Sequence, residues 1–294
     1  MTLEIDAETL NAIFARPQID GRFEGALAKY SRELSARRPL VLFAFAPRSA
    51  GTFFRTAAIE ATGGQLGRIV HAEGGRDPAP YLPALIVYYM GAFTPDTLIT
   101  HAHMQASIGN RNFIDAFDLK PIVMLRNIPD MLASFWDMIV KDPNTPMGLS
   151  FSVPKTFAAM PRLMQANFIV DTMAPWYVSY FATWLDYAEQ SPGRVCILDY
   201  TDFREDPAGA LELALAHARV PRSYDDCQRA FDETWKERTE FRYNRAEPGR
   251  GISYFTAEQI DRIERLISYH DCLKPAHHEL MGSGDATNDL RIAV

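Results

Sequence analysis

The sequence predicts an α/β fold: a three-layer α/β/α domain with a central parallel sheet and a P-loop-like phosphate-binding turn. Three observations predict it. Short unbroken apolar runs, LVLFAFA (40–46), TLITHAH (97–103), PIVMLR (121–126) and VCILDY (195–200), have the character of strands covered on both faces. Segments with apolar residues at three- and four-residue spacing stand between them, and strands that alternate with helices pair in parallel. The first run passes straight into PRSAGTFF, where a basic residue, hydroxyls and small residues mark a strand-to-helix turn.

Taken in order, ETLNAIF and GALAKYSRELSARR carry helical spacing, and Pro39 ends that region before the first strand. FFRTAAIEATGG is a helix that Gly63 and Gly64 stop. LPALIVYYMGAF (82–93) is the longest apolar stretch, well short of the roughly twenty residues a spanning helix needs, so no membrane span is expected. After the strand PIVMLR a helix is expected from Pro129 to Val140. Residues 142–175 hold Pro143, Pro146, Pro154, Pro161 and Pro175 and are read as an irregular excursion over the sheet edge, of the kind that forms lids. The helix WYVSYFATWLDYAEQ follows, then VCILDY, then DPAGALELALAHA with Asp206 as cap and Pro207 at the first helical position. Residues 1–280 are read as a single domain: a nucleotide-binding core (38–140), a lid or acceptor excursion (141–175) and the rest of the core with a second phosphate loop (176–270). Residues 281–294 are expected to form a mobile tail.

A chain of 294 residues with 47% hydrophobic and 23% charged residues can bury a sizeable core. Its formal net charge of -7 is unsuited to neutralising nucleic-acid phosphates, so no nucleic-acid partner is expected. Cys196, Cys227 and Cys272 are odd in number and widely spaced, which suggests neither a disulfide framework nor a zinc site. The acidic opening MTLEIDAETLNAIF lacks the layout of an export signal, and a cytoplasmic location is expected.

At a strand-to-helix junction the free backbone N–H groups and the positive end of the helix dipole make an anion site. In PRSAGTFF, Ser49 and Thr52 add hydroxyls, Arg48 adds a fixed charge, and Ala50 and Gly51 let an anion approach the backbone. The nucleoside-triphosphate loop G-x-x-x-x-G-K-[ST] is absent. A second anion site is readable in IVMLRNIPDMLASFWD. There Arg126 ends a strand, Asn127 can cap the following helix, Asp130 and Ser134 share a helical face, and Arg126 and Ser134 can converge on one anion.

With both stretches in hand, the chain resembles the sulfotransferases that use 3'-phosphoadenosine 5'-phosphosulfate (PAPS). Their signature P-[KR]-S-G-T-T-[WFL] is similar to Pro47-Arg48-Ser49-Ala50-Gly51-Thr52-Phe53, and R-N-P-x-D-x-x-x-S is similar to the stretch from Arg126 to Ser134. The resemblance, over roughly residues 39–267, implies PAPS as donor, its 5'-phosphosulfate on the first loop and its 3'-phosphate on the second. ILDYTDFREDP resembles a segment that places Tyr200 near the adenine. EPGRGISYFTAEQIDRI resembles the loop over the 3'-phosphate, which implies Arg250 and Gly251, with Arg245 behind them. TLITHAH resembles the strand that ends in the catalytic base, which implies His101, with His103 as competitor on the same face. Arg48 stays charged at any accessible pH, so its implied role is electrostatic. The implied reaction is sulfuryl transfer to a hydroxyl of a small-molecule, glycan or lipid acceptor, without a metal. A nucleotide-dependent kinase and a non-catalytic nucleotide-binding relative are the alternatives. The departures are Ala50 and Gly51 for Gly and Thr, Ile99 for a lysine, and a missing tryptophan in the final segment.

Overall fold

The computed structural model describes residues 39–70, 80, 97–141, 153–236 and 249–282. The helices expected before Pro39, the apolar stretch 82–93, residues 142–152 of the excursion, Arg245 and the tail from 283 lie outside the described residues.

Strands β1 (Leu40–Phe43), β2 (Gln65–Leu66), β3 (Leu98–His101), β4 (Lys120–Leu125) and β5 (Cys196–Asp199) form a parallel sheet in the order β2-β3-β1-β4-β5. The helices are α1 (Gly51–Thr62), α2 (Ile108–Ala116), α3 (Ile128–Lys141), α4 (Arg162–Gln190), α5 (Tyr200–Glu205), α6 (Pro207–His217), α7 (Tyr224–Lys236), α8 (Gly251–Tyr254), α9 (Ala257–Ser268) and α10 (His277–Met281). Successive strand residues point to opposite faces, so the unbroken apolar runs supply two cores. Leu40 and Leu42 join a cluster with Leu132 and Phe135 of α3, Tyr177 and Trp184 of α4, and Ile263 of α9. Val41 and Phe43 join another with Phe54 of α1, Leu215 of α6 and Phe231 of α7. Burying a side chain such as Leu42 contributes roughly 1.5–3 kcal/mol. The layers expected from the sequence are therefore present.

Several helix ends fall where their residues require. Gly63 closes α1 in the left-handed region at φ 64°, and the Asp206 carboxylate accepts the Gly209 N–H (2.9 Å) with Pro207 opening α6. Asn127 Oδ1 accepts the Asp130 N–H (2.7 Å) and so caps α3.

The excursion is corrected by the structure. Only residues 153–161 are irregular among its described part, with one short turn at Phe157–Ala159; from Arg162 the chain is helical without a break to Gln190, through Pro175. A proline inside a helix removes one backbone bond, yet packing can outweigh that loss. Ala166, Ile169, Val170 and Met173 are buried in phase with Tyr177, Tyr180 and Trp184, so one apolar stripe runs through the proline.

That long helix braces the ends of two strands. Tyr177 donates its hydroxyl to the Pro47 carbonyl (3.0 Å), Tyr180 to that of Ala44, and Trp184 Nε1 to that of Met104 (2.9 Å). Buried carbonyls left without donors would each cost about 1–3 kcal/mol. The chain segments that leave β1 and β3 are thus fixed by α4. β1 has β3 on one side and β4 on the other, so the crevice beyond its carboxyl end is a topological switch point, where open α/β sheets bind ligands.

Candidate functional site

The turn from Pro47 to Gly51 lies at that switch point. Arg48 and Ala50 both adopt left-handed backbone, φ 68° and 62°, which costs a residue with a side chain about 1–2 kcal/mol each. Left-handed residues alternating with others aim successive N–H groups into one concavity. The first bond of α1 runs from the Phe54 N–H to the Ala50 carbonyl (3.0 Å), so the N–H groups of Gly51, Thr52 and Phe53 lie ahead of the helical ladder. Thr52 is exposed there. Ser49 is fully buried, and its hydroxyl donates to the Ala46 carbonyl (2.5 Å). The same left-handed neighbours that gather the amides turn Ser49 inward.

The second expected stretch meets the first. Arg48 Nε donates to Ser134 Oγ (2.9 Å), and Arg48 Nη1 reaches Met138 Sδ (3.8 Å). Arg126 Nη1 donates to the Arg48 carbonyl, while Arg126 Nε is buried without a partner. The Arg126 guanidinium lies over the Tyr200 ring at 4.1 Å, a cation–π contact that holds its plane. Arg48, Arg126, Ser134 and Tyr200 therefore form one cluster drawn from the ends of β1, β4 and β5 and the second turn of α3. Arg126 and Ser134 are buried at 7% and 3% exposure, so their polar groups sit where charge interactions are little screened.

His101 ends β3, paired with Phe43 of β1. Part of the residue is exposed, but Nε2 is sealed and without a partner, and a Cβ on Gly51 would lie 2.4 Å from it. Glycine at 51 is what lets the ring come this close to the first turn of α1. Burial, then His103, then Arg55 hold the His101 imidazole well below its ordinary value, so it is neutral near pH 7. The His103 ring stands edge-on at 4.8 Å, with Nδ1 2.7 Å from the Phe45 carbonyl. A carbonyl only accepts, so in neutral His103 the proton is on Nδ1 and the lone pair on Nε2.

Two further expected residues lie against α3. Arg250 pairs with Asp137 (2.8 Å) and touches the Tyr254 hydroxyl (3.4 Å). Gly251 is buried against the first turn of α3. Phe53 packs on Phe231 and Trp235, at 5.3 and 5.4 Å between ring centroids. Trp235, 42% exposed, was passed over in the sequence because an isolated aromatic in an acidic helix carries no motif. Arg162 and Lys155 of the excursion are both exposed, and Arg162 lies over the Trp136 ring at 5.0 Å.

No protein-family model and no curated protein matches the sequence. Solved structures do. A mouse sulfotransferase, SULT7A1, complexed with PAP is similar with a TM-score of 0.58 at 12% identity, over 85% of this chain and 89% of that one. This chain has the sulfotransferase fold. Retinol dehydratase in a complex with retinol and PAP is similar with a TM-score of 0.50 at 14% identity, over 85% of this chain and 86% of that one. At such identities the likeness concerns the path of the backbone. Among the described residues no helix is long and apolar enough to cross a membrane.

Proposed function

We propose that the protein transfers a sulfuryl group from PAPS to a hydroxyl of a small-molecule, glycan or lipid acceptor. One observation carries the reading: two motifs 78 residues apart meet, Arg126 on the Arg48 carbonyl and the Arg48 side chain on Ser134. PAP in both fold neighbours, and retinol in one, support a nucleotide donor and an apolar hydroxyl acceptor.

In this reading the amides of Gly51 to Phe53 and the hydroxyl of Thr52 hold the sulfate-bearing end, and Phe53 flanks it. Arg126 and Ser134 hold the 3'-phosphate. The acceptor oxygen bonds to sulfur, the bond from sulfur to the phosphate oxygen breaks, and its electron pair stays on that oxygen. The Arg48 guanidinium offsets the charge that develops there. A neutral histidine takes the acceptor's proton, a contribution of about 10²–10⁴-fold. His101 is that base by its place beside Gly51. His103 is the second reading, favoured by the Phe45 carbonyl that fixes its tautomer.

Calorimetry with adenosine 3',5'-bisphosphate and with AMP tests the donor. The parent should prefer the bisphosphate, and Arg126→Ala should lose about 10–100-fold of that preference, the range for a hydrogen bond to a charged group. A parent that binds both alike removes the basis for Arg126 and Ser134 as a 3'-phosphate site. Competition by ATP but not by the bisphosphate would point to a kinase.

A further inference from the structure

Beside the first turn of α3 lies a second concave set of amides. Gly249 is left-handed at φ 75°, and Arg250 follows in right-handed helical backbone at φ -65°, ψ -24°. That succession turns neighbouring N–H groups toward a common point, the arrangement that binds anions in phosphate loops. Here the chain supplies the anion. The Gly249 N–H donates to Asp130 Oδ2 (2.9 Å) and the Gly251 N–H to Asp130 Oδ1 (2.7 Å). Asn127 Nδ2 adds a third donor, to Oδ2 at 2.9 Å, and the carboxylate is 1% exposed.

The fit is close on both sides. A Cβ at Gly251 would lie 2.2 Å from the Pro129 carbonyl carbon and 2.4 Å from the Asp130 nitrogen, so the segment rests directly on the helix backbone. The turn that holds it runs between Arg126 and Ser134, whose side chains line the proposed 3'-phosphate site. Asp130 is one helical turn from Ser134 on the same face, so whatever fixes the 249–251 backbone is tied to the turn that presents both.

We infer that Asp130 is a positioning residue for nucleotide selection. Its carboxylate occupies the 249–251 nest, holds that segment over the start of α3, and so sets the preference for an adenosine bisphosphate over a monophosphate. The inference rests on the donor reading above. It also assigns the Gly249 and Gly251 amides to Asp130, so phosphate recognition falls to the side chains of Arg126 and Ser134.

The full chain tests this with two measurements on the parent and on Asp130→Asn. Asparagine keeps the shape but replaces one acceptor by a donor, which sets an N–H of the chain against an N–H. Amide hydrogen exchange at Gly249 and Gly251 should speed up. In calorimetry the affinity ratio of adenosine 3',5'-bisphosphate to AMP should fall about tenfold, with AMP binding itself unchanged. Gly249→Ala is the second variant, for use if Asp130→Asn does not fold. A Cβ there meets nothing within 4 Å, so it strains only the left-handed φ and should lower the same ratio by a smaller factor. Faster exchange with an unchanged ratio would reduce Asp130 to a structural latch and overturn the selectivity role. Unchanged exchange would overturn the latch itself. A parent that does not distinguish the two nucleotides would end the donor reading and the selectivity role with it, while the exchange rates would still report on the latch.

Discussion

The turn at 48–51 and the turn at 249–251 are built from the same backbone device and put to opposite uses. Both rely on left-handed residues that gather N–H groups, Arg48 and Ala50 in one and Gly249 in the other. In the first, the strain is borne by residues with side chains, and the N–H groups of Gly51 and Thr52 lie ahead of the helical ladder. In the second, a glycine takes the conformation at little cost, and a buried carboxylate fills the nest. The difference teaches that an amide concavity alone does not mark a ligand site. What marks it is whether the fold has already supplied the anion.

The largest expected effect tests whether the first turn is a catalytic centre. His101→Ala should lower turnover by about 10²–10⁴-fold with bisphosphate binding retained. His103→Ala, measured beside it, assigns the base: the greater loss belongs to the histidine that takes the proton, and equal small losses from both would leave the turn a binding site only. A smaller effect is expected from Gly51→Ala. The added Cβ would collide with the His101 ring at 2.4 Å, and a displacement of about 1 Å at a reacting group can cost up to about 10²-fold in rate. Crystallography of that variant should find the His101 ring moved; an unmoved ring with full activity would separate His101 from the turn.

The smallest effect concerns pH. His101 titrates lower in the fold than in the unfolded chain, so between the two values the unfolded chain binds more protons and stability rises with pH. The stabilisation is complete above about pH 6.5, the unfolded value, and is lost as pH falls toward the folded value, with a slope of at most about 1.4 kcal/mol per unit. His217 is shifted in the same direction, so the comparison is parent against His101→Asn in denaturant titrations. A slope that survives the substitution would assign the effect to His217 instead.

Much of this was legible from the residues. Asn127, Asp206 with Pro207, and Gly63 each do locally what their chemistry favours, so caps and stops were readable one element at a time. The helical first half of α4 was misread because Pro161 and Pro175 were weighed as breakers, although Ala166, Ile169, Val170 and Met173 carry a stripe in phase with the helix beyond. Packing on both sides of Pro175 outweighed the local signal. The direction of the Ser49 hydroxyl was not legible for a related reason: its type is visible in the sequence, but its direction depends on the left-handed backbone of its neighbours.

By itself the sequence determined the alternation of strands and helices, the cap residues and the presence of two anion-suited stretches, because each follows from interactions within a dozen residues. The tertiary structure alone decided that those stretches touch, that Tyr200 lies over Arg126, that Gly51 makes room for His101, and that Asp130 fills a turn formed 119 residues later. Such contacts are selected by how whole elements pack and by the need to satisfy every buried donor and acceptor, and no local pattern encodes them.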